Sequence, residues 1–175
     1  MDILFAKMVA FGVSLIFLIG FIQKIKDLEL FRSSVEAYDL IPISLVKYAA
    51  YTIILTEGTT AILLMLDRTL VIGCILAASL LSIVTLAIAI NLLRGNTDIG
   101  CGCGGIEDEQ LISWSLALRN VILIVIISPI FFQESWRNLT VLDNFTLILG
   151  GSSVYGLYVL SSQLITNQPR LRGLK

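Results

Sequence analysis

Five stretches of this sequence stay apolar over lengths that suit helices crossing a bilayer: residues 3–22, 44–66, 70–93, 111–132 and 145–165. A hydrocarbon core of about 30 Å needs about 20 helical residues. Inside lipid every backbone N–H and C=O must be bonded within the segment, which favours helices. The chain has 175 residues, 57% of them hydrophobic and 14% charged, too little polar sequence to coat a soluble core of that size. The expected fold is therefore all-α: an integral-membrane helical bundle of four to five transmembrane helices in a single domain. The count turns on the last run, which Gly150, Gly151 and Gly156 interrupt. Small residues are common where membrane helices pack closely, so five spans is the leading reading and four the alternative.

The first run begins Met1-Asp2, has no basic n-region or clear small-x-small cleavage site, and ends in Gln23-Lys24-Ile25-Lys26. It is a poor signal peptide and reads as a retained span. Trp114 and Trp136 bracket the fourth run; at helical rise they stand about 33 Å apart, the separation of two membrane interfaces. Ser113 is placed to cap that helix. Between the first two runs, residues 24–41 carry Leu28, Phe31, Val35 and Tyr38 at helical spacing, with Asp27, Glu29, Arg32 and Glu36 on other faces. This pattern predicts a short helix lying in the membrane interface, either a docking surface or a plain connector. Pro42 is suited to open the next span.

Chemistry is confined by what the composition lacks. There is no histidine, which removes the Ser-His-Asp triad, the Cys-His pair and the commonest metal ligand. A net charge of −1 gives no electrostatic basis for binding nucleic acid. What stands out is Asp98-Ile-Gly-Cys-Gly-Cys-Gly-Gly105, two thiols one residue apart in a glycine-rich loop. A disulfide across one residue closes a small ring that is readily reduced, and flanking glycines let a partner approach. Cys101 and Cys103 are therefore the candidate redox pair. A metal site lacks further ligands, and an inert turn is the other plain alternative. Arg94, Arg119 and the N-terminus of the following helix are candidates to favour the thiolate, whereas Glu107, Asp108 and Glu109 oppose it. Cys74 falls near the far end of the third run, about 30 Å from the loop along a helix, and reads as a buried apolar thiol.

Two polar groups lie within the runs. Glu57 is expensive at such depth and calls for a partner; Lys7 is one candidate, and the choice is between a structural ion pair and a proton relay. Asn91, Arg119 and Asn120 form a second group nearer the loop. They would position it, bind a quinone carbonyl or similar cofactor group, or simply bond helix to helix.

At these residues the chain resembles the MauE/DoxX-like family of redox-associated bacterial membrane proteins. The matching pieces are Gly20-Phe-Ile-Gln-Lys24, Tyr38-Asp-Leu-Ile-Pro42, Glu57, Asn91-Leu-Leu-Arg-Gly95, Cys101-Gly-Cys103-Gly-Gly105 and Arg119-Asn120. They run in matching order over roughly the first three-quarters of the chain. One departure is Gly104, where the family pattern has a bulkier residue such as Phe at a surface a partner would touch. The resemblance implies a small helical protein of the inner membrane that supports disulfide formation or protein maturation. It implies a thioredoxin-like partner and a maturing client protein as well.

With five spans, the loop shares a side with Lys24, Lys26, Arg32, Lys47, Arg94, Arg170, Arg172 and Lys175, which by the positive-inside rule faces the cytoplasm. Oxidation of a secreted client takes the opposite face. The leading functional reading is a membrane thiol–disulfide exchange protein. Its rivals are a non-catalytic membrane chaperone or scaffold, in which the amphipathic segment matters most, and a small transporter using Glu57.

Overall fold

A computed structural model describes residues 3–102, 111–132 and 140–172. The described residues form helices and no strand: α1 (Ile3–Lys26), α2 (Leu28–Ala37), α3 (Ile43–Met65), α4 (Leu70–Leu93), α5 (Trp114–Ile127) and α6 (Val141–Arg172). All but α2 belong to stretches long and apolar enough to cross a membrane, five in total among the described residues. The last run, despite its glycines, is one continuous helix. The fourth is shorter than its apolar stretch, because the chain tightens into a 3₁₀ turn over Ser128–Phe132 at Pro129, which has no N–H to continue the α-helical ladder. Trp136, the outer of the two expected interface markers, lies outside the described residues.

Local chemistry explains where the elements begin and end. The Ser113 side chain accepts from the Leu116 N–H at the start of α5, and Asp27 does the same for Leu30 at the start of α2. Pro42 occupies the N-cap of α3, where its missing N–H costs nothing. At the end of α4, Gly95 has φ +82°. The Gly95 N–H donates to Leu92 O and the Asn96 N–H to Asn91 O, closing a Schellman motif. Part of the Asn91-Leu-Leu-Arg-Gly95 motif is thus a helix terminator.

The order across the bundle is α6–α1–α3–α4–α5, with α5 also reaching α1. Helices α1 and α3 run antiparallel and come close at Gly58, where an added Cβ would lie 2.8 Å from the Phe21 ring. The buried Ser14 hydroxyl donates to Ala61 O across the same seam, at 2.7 Å. Helix α6 packs on α1 through glycines: a Cβ on Gly12 would meet Val154 at 2.6 Å and one on Gly150 would meet Met8 at 2.8 Å. Of the glycines that break the last run's hydropathy, Gly150 and Gly151 seat it against α1, while Gly156 faces open space.

The main core joins Val9, Val13 and Phe17 of α1 to Leu64 of α3 and Cys74, Ala77 and Leu80 of α4. A second cluster lies at the loop end, where Ile88, Ile112, Leu116 and Cys101 meet. A third holds α2, with Phe31 against Ala50 and Ile54 of α3. Large apolar side chains also cover the outside of the bundle, Leu157 and Leu164 of α6 among them, as lipid rather than water would require.

Candidate functional site

The cysteine loop leaves α4 after its glycine cap and is pinned where it returns. Gly100 and Leu111 form an isolated antiparallel bridge, and the Ile112 N–H donates to Ile99 O at 2.9 Å. This ties both ends of the loop to the second core cluster. Cys101 is buried there, 6% exposed, beside Ile88 and Leu116. Cys103 lies outside the described residues.

Helix α2 closes over the loop. The Tyr38 hydroxyl donates to Cys101 O at 3.3 Å. Asn91, fully buried on α4, donates from Nδ2 to Tyr38 O at 3.1 Å and to Ala87 O. Its Oδ1 accepts from Asn96. One asparagine thus fixes the end of α2, and the tyrosine at that end fixes the cysteine backbone. Gly102 completes the contact with φ +68°, and a Cβ there would stand 3.1 Å from Ser34 Cβ. Only glycine adopts this conformation so close to α2 without strain. Tyr38 stood among the resembling residues, but its hydrogen bond across 63 positions was not readable from sequence.

The charged residues sort differently from the expectation. Glu57 pairs with Lys24 at the end of α1, Nζ to Oε1 2.5 Å, with both side chains about nine-tenths buried. Lys7 pairs instead with Asp67, 2.8 Å away at the opposite end of α1. The correction follows from register. The seam that sets Ser14 against Ala61 and Phe21 against Gly58 carries Lys7 about ten residues past Glu57, roughly 15 Å by helical rise. Lys24 reaches Glu57 because its long stem runs back along α1 past Gly20. Its ammonium also sits 5.2 Å from the centroid of the Phe31 ring. The signal in the sequence was the four-residue Gly20–Lys24 spacing, which puts a gap and a cation on one helix face.

Arg94 is exposed and reaches Asp39 O at 3.4 Å. Arg119 is turned toward α6, donating to Ser162 Oγ and lying 4.5 Å from the centroid of the Tyr158 ring. Neither lines the cavity beside Cys101. Asn120 is buried with Arg119, and the two line a small cavity of about 50 Å³ that also touches Lys24 and Glu57. Asn91 therefore separates from Arg119 and Asn120: it holds the loop, while they face the bundle interior. Cys74 is completely buried in the main core, in a cluster separate from that of Cys101.

The family model described as "Methylamine utilisation protein MauE" matches residues 2–133, which include every element of this arrangement except α6. The chain belongs to the MauE family. Two relatives carry the name "Methylamine utilization protein MauE". The one from Paracoccus denitrificans is 33% identical over 110 residues, covering 63% of this chain and 59% of the relative. The one from Paracoccus versutus is 30% identical over 144 residues, covering 82% and 77%. This MauE-family chain is thus matched over less than two-thirds of the first relative's length. No solved structure gives a significant match. The five spanning helices and the family together make it a multi-pass membrane protein.

Proposed function

We propose that this protein exchanges thiols and disulfides at the membrane during maturation of a client protein, with Cys101 and Cys103 as the redox pair. The observation that carries the reading is the mounting of Cys101. Its backbone is clamped by Tyr38, its position is fixed by the bridge at Gly100–Leu111, and its residue lines a membrane-embedded cavity. A purely structural turn has no need of a thiol held as Cys101 is, two positions before another cysteine in the sequence. Because Cys101 is buried, exchange with a thioredoxin-like partner falls to Cys103. A partner thiolate attacks Cys103 in the Cys101–Cys103 disulfide and releases Cys101 as a thiol; the partner's second thiol then attacks this mixed disulfide, which releases Cys103 and leaves the partner oxidised. The names of the relatives support a setting in methylamine utilization, with a protein matured there as the proposed client.

Trapping tests this reading. Replacement of Cys101 by Ser removes the thiol that would close the Cys101–Cys103 bridge, so the mixed disulfide that Cys103 forms with an oxidised partner should accumulate and be identifiable by mass spectrometry. Identical alkylation of both cysteines under oxidising and reducing conditions would sink the proposal. So would full client maturation in the Cys101→Ser and Cys103→Ser variants.

A further inference from the structure

Beside Cys101 is a cavity of about 230 Å³ enclosed by α2, α3, α4 and the start of the cysteine loop. Along α3 it runs from Ala49 to Glu57, about 12 Å at helical rise. Cys101 and Gly102 stand at the loop end, and the Lys24–Glu57 pair at the deep end. The walls between are apolar or aromatic, with Phe31 and Tyr38 on one side and Ile53 and Val84 on the other. Ile83 also lines it while remaining 61% exposed, so on this side a single surface side chain bounds the cavity.

The deep end is chemically unfinished. Glu57 is 7% exposed, and its Oε2 accepts no hydrogen bond from any described residue. A buried carboxylate oxygen left in this state is costly. Lys24 has three N–H donors, of which Oε1 takes one. Lys24 and Glu57 sum to no net charge, so a charged ligand would be buried uncompensated. An acyl chain offers Oε2 no donor. The group that fits is neutral, planar and lipid-soluble. Its oxygen must accept from an ammonium in one state and donate to a carboxylate in the other.

We propose that this cavity binds the ring of a membrane quinone, with one ring oxygen at the Lys24–Glu57 pair and the ring lying toward Cys101. The oxidised carbonyl accepts from Lys24, and the hydroxyl of the reduced form donates to Glu57 Oε2. Resting on the exchange function proposed above, the quinone is then the oxidant that regenerates the disulfide. Two S–H bonds break and one S–S bond forms as Cys101 and Cys103 give up two electrons and two protons. The two quinone oxygens take up both, yielding quinol.

The test uses the full chain in lipid nanodiscs with a decyl-substituted benzoquinone as the probe. Saturable binding is expected in the wild type, weakened about tenfold or more, or 1.4 kcal/mol, by Ala49→Phe and by Ala87→Phe, which fill the cavity from two different helices. Two variants keep the result decisive if one fails to fold. Absence of saturable binding, or equal binding in wild type and both filled variants, overturns the site. Binding without oxidation of the reduced wild-type thiols by the probe overturns the quinone's role as oxidant. Binding that persists where thiol exchange with any partner fails overturns the exchange function and leaves the site standing.

Discussion

Lys24 and Glu57 are 33 residues apart in sequence and form a buried ion pair, with one carboxylate oxygen bonded to the ammonium and the other buried without a hydrogen-bond partner among the described residues. The pair ties α1 to α3 at the level where Gly58 lets the helices close. Removing one member leaves the other charge buried without compensation. Lys24→Met is expected to destabilise the protein by about 3–5 kcal/mol, while Lys24→Met combined with Glu57→Leu recovers much of that loss. Thermal unfolding in detergent for the two variants and the wild type checks it. A double variant less stable than Lys24→Met would refute the pairing.

The bond from Tyr38 to Cys101 gives a graded prediction. Tyr38→Phe deletes a single hydroxyl and should loosen the loop by about 1 kcal/mol, speeding alkylation of Cys101 severalfold. Asn91→Ala should cost more, about 1–3 kcal/mol, since it strands the part-buried carbonyl of Tyr38. Alkylation rates followed by mass spectrometry separate the two.

Three glycines that look alike in sequence should respond differently to alanine. Gly102 combines a positive φ with a crowded neighbour, so Gly102→Ala should lower stability by about 1–2 kcal/mol and displace the loop from α2. Gly95 has the positive φ but open space around it, so Gly95→Ala should cost only about 1 kcal/mol. Gly156 is helical with nothing near it, and Gly156→Ala should be neutral or stabilise by about 0.5–1 kcal/mol. The ranking, read from denaturation midpoints, is the test.

Seating of α6 depends on Gly12 and Gly151, since a Cβ on Gly12 would fall 2.9 Å from Gly151 O. Gly12→Leu is expected to cost about 1–3 kcal/mol by overpacking. It should also expose the α1–α6 seam to proteolysis, with little change at the cysteine loop. A loss of loop integrity equal to that in Asn91→Ala would show that α6 supports the site directly.

Where sequence reading failed, the cause was register rather than composition. Glu57 was recognisable as a residue needing a partner because depth in a span is a local property. The identity of the partner was not, because Lys7 and Lys24 are both lysines on the same helix, and only the α1–α3 seam distinguishes them. Arg119 was grouped with Asn91 by closeness to the loop in sequence; its rotation on α5 turns it to Ser162 and Tyr158.

Taken by itself, the order of residues determined the long apolar helices, the short amphipathic helix between the first two of them and the Ser113 cap. Each depends on hydropathy, spacing or turn chemistry acting over a few neighbouring positions. Only the folded bundle decided that Lys24 neutralises Glu57, that Tyr38 grips Cys101 and that a cavity joins the two. Those facts depend on how far one helix slides and turns against another. That is settled by close approaches such as Phe21 on Gly58, between residues far apart along the chain.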